Sequence, residues 1–172
     1  MTGRVLSAVH GGRCFLRFEG TVRFMVGNRL EKYVRGLFAT SKVGHVFIDL
    51  TSAEHLDSTI LGILARISRY QQNRNASRPT IFCSKDDIRL LLDTMGFDEV
   101  FEIRDESPGG IWPEDMGEIP ETEPSVQEKA GTILRAHKEL MGMGDGNREL
   151  FRGAVEELER EMKGRKRAGG ED

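Results

Sequence analysis

Apolar positions in the first hundred residues switch repeatedly between a spacing of two and a spacing of three to four. Val5 to Val9 and Cys14 to Glu19 alternate about Gly11-Gly12, which predicts a β-hairpin with a glycine turn. Val22, Val26, Leu30, Tyr33, Val34 and Leu37 form a helical stripe despite Gly27 and Gly36. Val46, Ile48 and Leu50 then share one face of a strand with Phe47 on the other. A short polar loop should follow, and Ile60, Ile63, Leu64 and Ile67 resume at helical spacing. Asn73 to Pro79 reads as a loop and Thr80 to Cys83 as a short buried strand. Ser84-Lys85-Asp86-Asp87 reads as a capping box, with Asp in place of Glu, ahead of the stripe Ile88, Leu91, Leu92 and Met95. Gly96 ends that helix and Val100 to Ile103 makes the last strand. Strands alternating with helices of this length predict an α/β domain over 1–106, a mixed sheet flanked by helices.

The pattern breaks at residue 107. The segment 107–123 is acidic and rich in proline and glycine, and predicts a linker. Its Trp112 is too large to leave in water and should fold back onto the domain. Pro124 suits the start of a helix, and Val126, Ala130, Ile133, Leu134, His137 and Leu140 form a stripe. Gly142 to Gly146 interrupts it, and Leu150, Phe151, Ala154, Val155, Leu158 and Met162 form another. Residues 124–164 should therefore be a helical hairpin that packs on the domain or on another chain, with 165–172 a frayed tail.

Charge sharpens this division. Residues 1–105 carry 15 Lys/Arg against 12 Asp/Glu, whereas 106–172 carry 10 against 16, so a mildly basic core adjoins an acidic extension. The opposite signs favour packing in cis. The modest basic charge, without interleaved aromatic residues, argues against nucleic-acid binding. No apolar run is long enough to span a bilayer and no secretory signal is visible. Two cysteines, Cys14 and Cys83, suggest no oxidising compartment, and a bacterial cytoplasm is expected. There is no phosphate-binding glycine loop, zinc spacing or catalytic triad motif among His10, His45, His55 and His137, so neither an enzyme nor a cofactor or metal site is expected. His55 reads as an exposed loop residue, His137 as a packing residue with a polar tip, and Asp49 as a carboxylate capping a strand end.

The chemistry concentrates at Asp57-Ser58-Thr59, where a polar stretch meets a helix start. Asp57 or Ser58 is the natural N-cap, and an added phosphate on Ser58 would be stabilised by the free N–H groups and the helix dipole. Arg66 and Arg69 fall on the polar side of that helix, and Arg74 and Arg78 continue the basic run.

The block Asp49-Leu50-Thr51 through Asp57-Ser58-Thr59 to Gly62 and Leu64, with Phe18-Glu19-Gly20 before it and Leu91 to Phe101 after it, resembles the STAS domains of anti-sigma-factor antagonists. The usual Asp-Ser-Ser-Gly is here Asp57-Ser58-Thr59-Ile60, with the glycine delayed to Gly62. The extension, with Ala136 to Gly142 and Asn147-Arg148, is similar to that of Hsb-type antagonists, partner-switching proteins of motility and biofilm control. The resemblance implies phosphorylation at Ser58, with Thr59 as the alternate acceptor. It also implies a surface comprising Arg23, Asp57, Ser58, Thr59, Arg66 and Arg69. The implied partners are an anti-sigma factor, a flagellar one among the candidates, together with a serine kinase domain and a PP2C-type phosphatase. The alternative is a non-switching STAS docking subunit of a transport or sensory assembly, with Ser58 only a cap.

Overall fold

A computed structural model describes residues 2–40 and 42–169 of the 172-residue chain. Strand β1 (Arg4–His10) and strand β2 (Arg13–Val22) form the expected hairpin. Gly11 and Gly12 both have positive φ, 57° and 76°, the geometry that a two-residue turn needs to follow the strand twist. Helix α1 (Phe24–Thr40) leads to strand β3 (His45–Leu56) and helix α2 (Ser58–Asn73). Strand β4 (Thr80–Phe82), helix α3 (Asp86–Thr94), a 3-10 turn at Phe97–Glu99 and strand β5 (Glu102–Arg104) complete the domain. The sheet is mixed: β2, β3, β4 and β5 are parallel neighbours, and β1 runs antiparallel to β2.

One sheet face carries Cys14, Leu16, Phe18, Val46, Ile48, Leu50 and Ile81. These pack with Leu30 and Val34 of α1 and Ile60, Ile63, Leu64 and Ile67 of α2 in a single core. The other face holds an aromatic row, with Phe15 stacked on Phe47 at 5.4 Å and Phe47 on Phe82 at 6.3 Å. Trp112 closes over that row, edge-on to Phe15 at 5.5 Å and to Phe82 at 6.0 Å. Its indole N–H donates to Ser107 Oγ at 2.7 Å, and the Arg17 guanidinium lies 4.9 Å from its ring centre. The anchoring role expected for Trp112 is thus met.

Several expectations change. The polar stretch 51–56 is not a loop: β3 continues to Leu56, with Ala53 and Leu56 buried while Glu54 and His55 stay exposed. Two register shifts against β2 accommodate its extra residues, which hides the period-two signal. Asp49 therefore lies within a strand. Its carboxylate accepts from Thr51 N at 2.9 Å and Thr51 Oγ1 at 2.6 Å at the first shift, and pairs with Arg17 at 3.1 Å. Val22 belongs to β2, not to the helix. Ser84 caps nothing; α3 starts after Lys85 without a side-chain cap.

The linker crosses the molecule as a strap. From β5 it passes over the aromatic face and adds a short strand, β6 (Gly117–Glu118), beside β1. It then buries Ile119 and reaches the helical side, where Thr122 Oγ1 donates to Asn28 Oδ1 at 2.9 Å. Helix α4 (Val126–Met141) begins at Ser125, whose hydroxyl accepts from Glu128 N at 3.1 Å. Helix α5 (Asp145–Ala168) returns antiparallel to it as the second arm of the hairpin and includes residues 165–168, where fraying was expected; 170–172 lie outside the described residues.

Candidate functional site

Asp57 is the N-cap of α2, extended at φ −95° and ψ 174°, with Oδ1 accepting from Ile60 N at 3.0 Å. Its other oxygen accepts from Phe24 N, the first residue of α1, at 2.6 Å. One carboxylate thus ties together the starts of two helices. Ser58, the first residue of α2, is left without a capping duty. Its Oγ shares a 2.8 Å hydrogen bond with Nε2 of His137 on α4, 79 residues away. Thr59 is only 3% exposed and points at α1, where a Cβ on Gly27 would lie 3.1 Å from its methyl carbon. Ser58 is half-buried, the more accessible of the two hydroxyls.

His137 stacks on Phe151 of α5 with ring centres 5.1 Å apart. Burial lowers its pKa from the ordinary 6.5, and the nearby Asp57 carboxylate opposes that shift without reversing it. The released imidazole binds a proton more readily than the seated one. Stability is therefore complete above about pH 6.5 and erodes as pH falls through and below that value. We expect the melting temperature to drop between pH 7.5 and 5.5, and to drop less in His137→Asn. His45 lies between Ser77 Oγ at 2.7 Å and Thr80 Oγ1 at 2.8 Å. Its pKa is also lowered, by burial first, so part of the pH dependence survives in that variant. An unchanged pH profile in His137→Asn would refute the assignment.

Helix α4 lies across α2 at very short range. A Cβ on Gly62 would come within 2.2 Å of the Ala136 carbonyl oxygen, so only glycine admits this crossing. The delayed glycine of the sequence motif is thereby explained as a packing requirement. Beside the crossing, Glu139 of α4 pairs with Arg69 at 2.8 Å and with Arg66 at 3.4 Å. Arg66 also reaches Glu31 of α1 at 3.2 Å. Glu31 is 2% exposed and further accepts from Arg135 at 2.7 and 2.9 Å and from Thr132 Oγ1 at 3.0 Å. Burial by itself would raise the pKa of Glu31. The Arg135 bonds and charge, the Thr132 hydroxyl and the Arg66 charge outweigh it and hold the carboxyl below its ordinary range.

Asp57, Ser58 and Thr59 are consecutive at the start of α2, and Arg23, exposed, lies just before α1. The structure corrects the placement of Arg66, whose side chain is 11% exposed because Glu31 and Glu139 enclose it; Arg69 remains 49% exposed. Two residues escaped the sequence reading: Phe24 and Met25, 46% and 79% exposed, adjoin Asp57 through the Phe24 N–H contact. Their signal was available, since both fall off the buried stripe of α1. The partnership of His137 with Ser58 had no sequence signal, as it depends on where α4 docks.

Among the described residues no cluster of three or more His, Cys, Asp or Glu side chains could hold a metal ion. Both cysteines are buried, and burial pushes the Cys14 thiol up to about 12. No helix among the described residues is long and apolar enough to cross a membrane.

Comparison with known proteins agrees with this fold. The family model of the STAS domain matches residues 5–108, more than half of the chain. The chain belongs to the STAS domain family. Among solved structures it is similar to the anti-sigma factor antagonist SpoIIAA of Bacillus in its unphosphorylated form, with TM-score 0.51 and 13% identity over 59% of this chain and 87% of that one. An anti-sigma factor antagonist from Mycobacterium paratuberculosis aligns with TM-score 0.50 and 20% identity, over 61% and 87% of the two chains. At these identities the likeness establishes the fold. No curated protein sequence matches the chain.

Proposed function

We propose that this protein is an anti-sigma-factor antagonist that binds its anti-sigma factor when unphosphorylated and is switched off by phosphorylation of Ser58. The observation that carries this reading is the division of labour at the start of α2. Asp57 caps the helix, so the Ser58 hydroxyl has no capping duty and stands, bonded to His137, at a helix N-terminus where a phosphate is electrostatically favoured. Burial of Thr59 supports Ser58 over Thr59 as acceptor. Phosphorylation adds about −1.5 to −2 charges and three acceptor oxygens beside Asp57, whose carboxylate holds the N–H of Phe24 in the exposed run Arg23, Phe24 and Met25. A partner seated on those exposed residues then meets a dianion, and one local change exchanges its affinity for another partner's. In this reading the chain is a non-enzymatic, Hsb-type partner switch of a bacterial cytoplasm, served by a serine kinase domain and a PP2C-type phosphatase, with motility or biofilm output.

The test compares Ser58→Ala with Ser58→Asp. Both should fold, since Asp57 keeps the cap. Ser58→Ala should bind the anti-sigma factor constitutively, and Ser58→Asp at least about tenfold more weakly, roughly 1.4 kcal/mol by calorimetry. Incubation with the kinase and ATP should label Ser58, as mapped by mass spectrometry. Equal affinity of the two variants would instead favour the non-switching docking subunit, and label that persists undiminished in Ser58→Ala would overturn Ser58 as the acceptor.

A further inference from the structure

The face of α2 that carries Ser58 is already occupied. We infer that α4 fills a helix-docking groove on α2 as an exchangeable stand-in for a helix of the anti-sigma partner. That partner helix would carry a small residue at the Gly62 crossing and an acidic residue three positions later. The identity of the partner rests on the proposed function; the groove and its occupant do not.

Three features define what the groove accepts. Gly62 gives a backbone-to-backbone approach that only a small residue such as Ala136 tolerates, since Ala136 itself is 1% exposed. Arg69 and Arg66 stand one turn along and receive Glu139. Ser58 sits at the far end, joined to His137. Ala136, His137 and Glu139 thus read as a short code of small residue, hydrogen-bonding tip and acid along one face of an amphipathic helix.

Two further features make the occupant removable. Leu140 is the one large apolar side chain of α4 that is fully buried, while Leu134 and Met141 pack only partly against the core. Polar contacts supply much of the rest, and those are replaceable by a partner with the same charges. The tether between buried Ile119 and the Ser125 cap has no regular structure, and its hydrogen bond from Thr122 to Asn28 can open without disturbing the sheet. While α4 is seated, the 2.8 Å contact between Ser58 and His137 leaves no room for a phosphoryl group, so the same helix also shields the acceptor.

The test uses the full chain and a fluorescent synthetic peptide of residues 125–143 as probe. Ala136→Leu in the full chain overfills the crossing and should release α4, which amide exchange reads as lost protection in 126–141 with β3 still protected. The released chain should bind the probe at least tenfold more tightly than the wild-type chain does. A probe carrying Ala136→Leu or Glu139→Lys should lose most of that binding. Should Ala136→Leu fail to fold, full-chain Glu139→Arg opens the groove by charge reversal and gives the same readout. Equal probe binding by wild-type and opened chains overturns the inference. So does no binding by an opened chain, or an α4 that stays protected in both variants. A wild-type dimer in sedimentation that the probe dissociates would assign the groove to a second copy and overturn the partner assignment. Neither anti-sigma factor nor kinase enters this assay, so its failure is separable from failure of the Ser58 switch.

Discussion

Glu31→Ala should destabilise the protein by about 3–5 kcal/mol, the cost of breaking a buried ion pair from one side. The side chain is 1% exposed and faces Arg66 and Arg135, with Arg35 at 3.5 Å. Its removal leaves the enclosed Arg66 guanidinium with Glu139 as its remaining acid partner, and the Thr132 hydroxyl loses its acceptor. Denaturant unfolding should give a lower midpoint. Glu31→Gln, which keeps volume and one acceptor but no charge, should fall between. The logic of a buried pair adds a sharper contrast: Glu31→Leu combined with Arg66→Leu should cost less than Glu31→Ala alone, because no buried charge is stranded. A loss below about 1 kcal/mol for Glu31→Ala would mean that the cluster is wet and weak.

Gly62→Ala should dislodge the C-terminal hairpin. In an exposed helix this exchange stabilises by about 1 kcal/mol. Here the new Cβ would sit 2.2 Å from a backbone carbonyl that cannot rotate away, so α4 must lift. Overpacking of this kind costs about 1–3 kcal/mol or more. Lifting would also expose Leu140 and unseat Phe151 and Val155, each worth roughly 1.5–3 kcal/mol when fully buried. Amide exchange should show residues 126–141 deprotected while β2 and β3 keep their protection, and the melting transition should broaden or split. A Gly62→Ala protein with an unchanged melting temperature and a protected α4 would contradict the packing described here.

The delayed glycine illustrates how the sequence misleads and informs at once. Read as a motif, Gly62 is a departure from the Asp-Ser-Ser-Gly pattern. In three dimensions it is the crossing point of α2 and α4, a role visible only once Ala136 is known to lie above it. The stripe assigned to α4 erred for the same reason. Hydrophobicity singled out Val126, which is 63% exposed, and missed Gly131, Thr132 and Ala136, which are buried. Close helix packing selects small residues, and small residues carry little hydrophobic signal. Strand β3 was cut short because its register shifts break the alternation that marks a strand.

By itself the sequence determined the alternation of strands and helices, the two-glycine hairpin, the helix start at Asp57-Ser58, the anchoring of Trp112 and the helical hairpin after Pro124. All of these rest on local physics: side-chain period, capping, turn conformation and the cost of wetting a large aromatic ring. Tertiary structure decided that the hairpin lies in cis over α2, that Glu31 and Glu139 neutralise the arginines expected to be exposed, and that His137 meets Ser58 across 79 residues of chain. Those outcomes depend on a contact between two helices that share no sequence neighbourhood. The linker's path as strap and edge strand sets that contact, and no local pattern encodes the path.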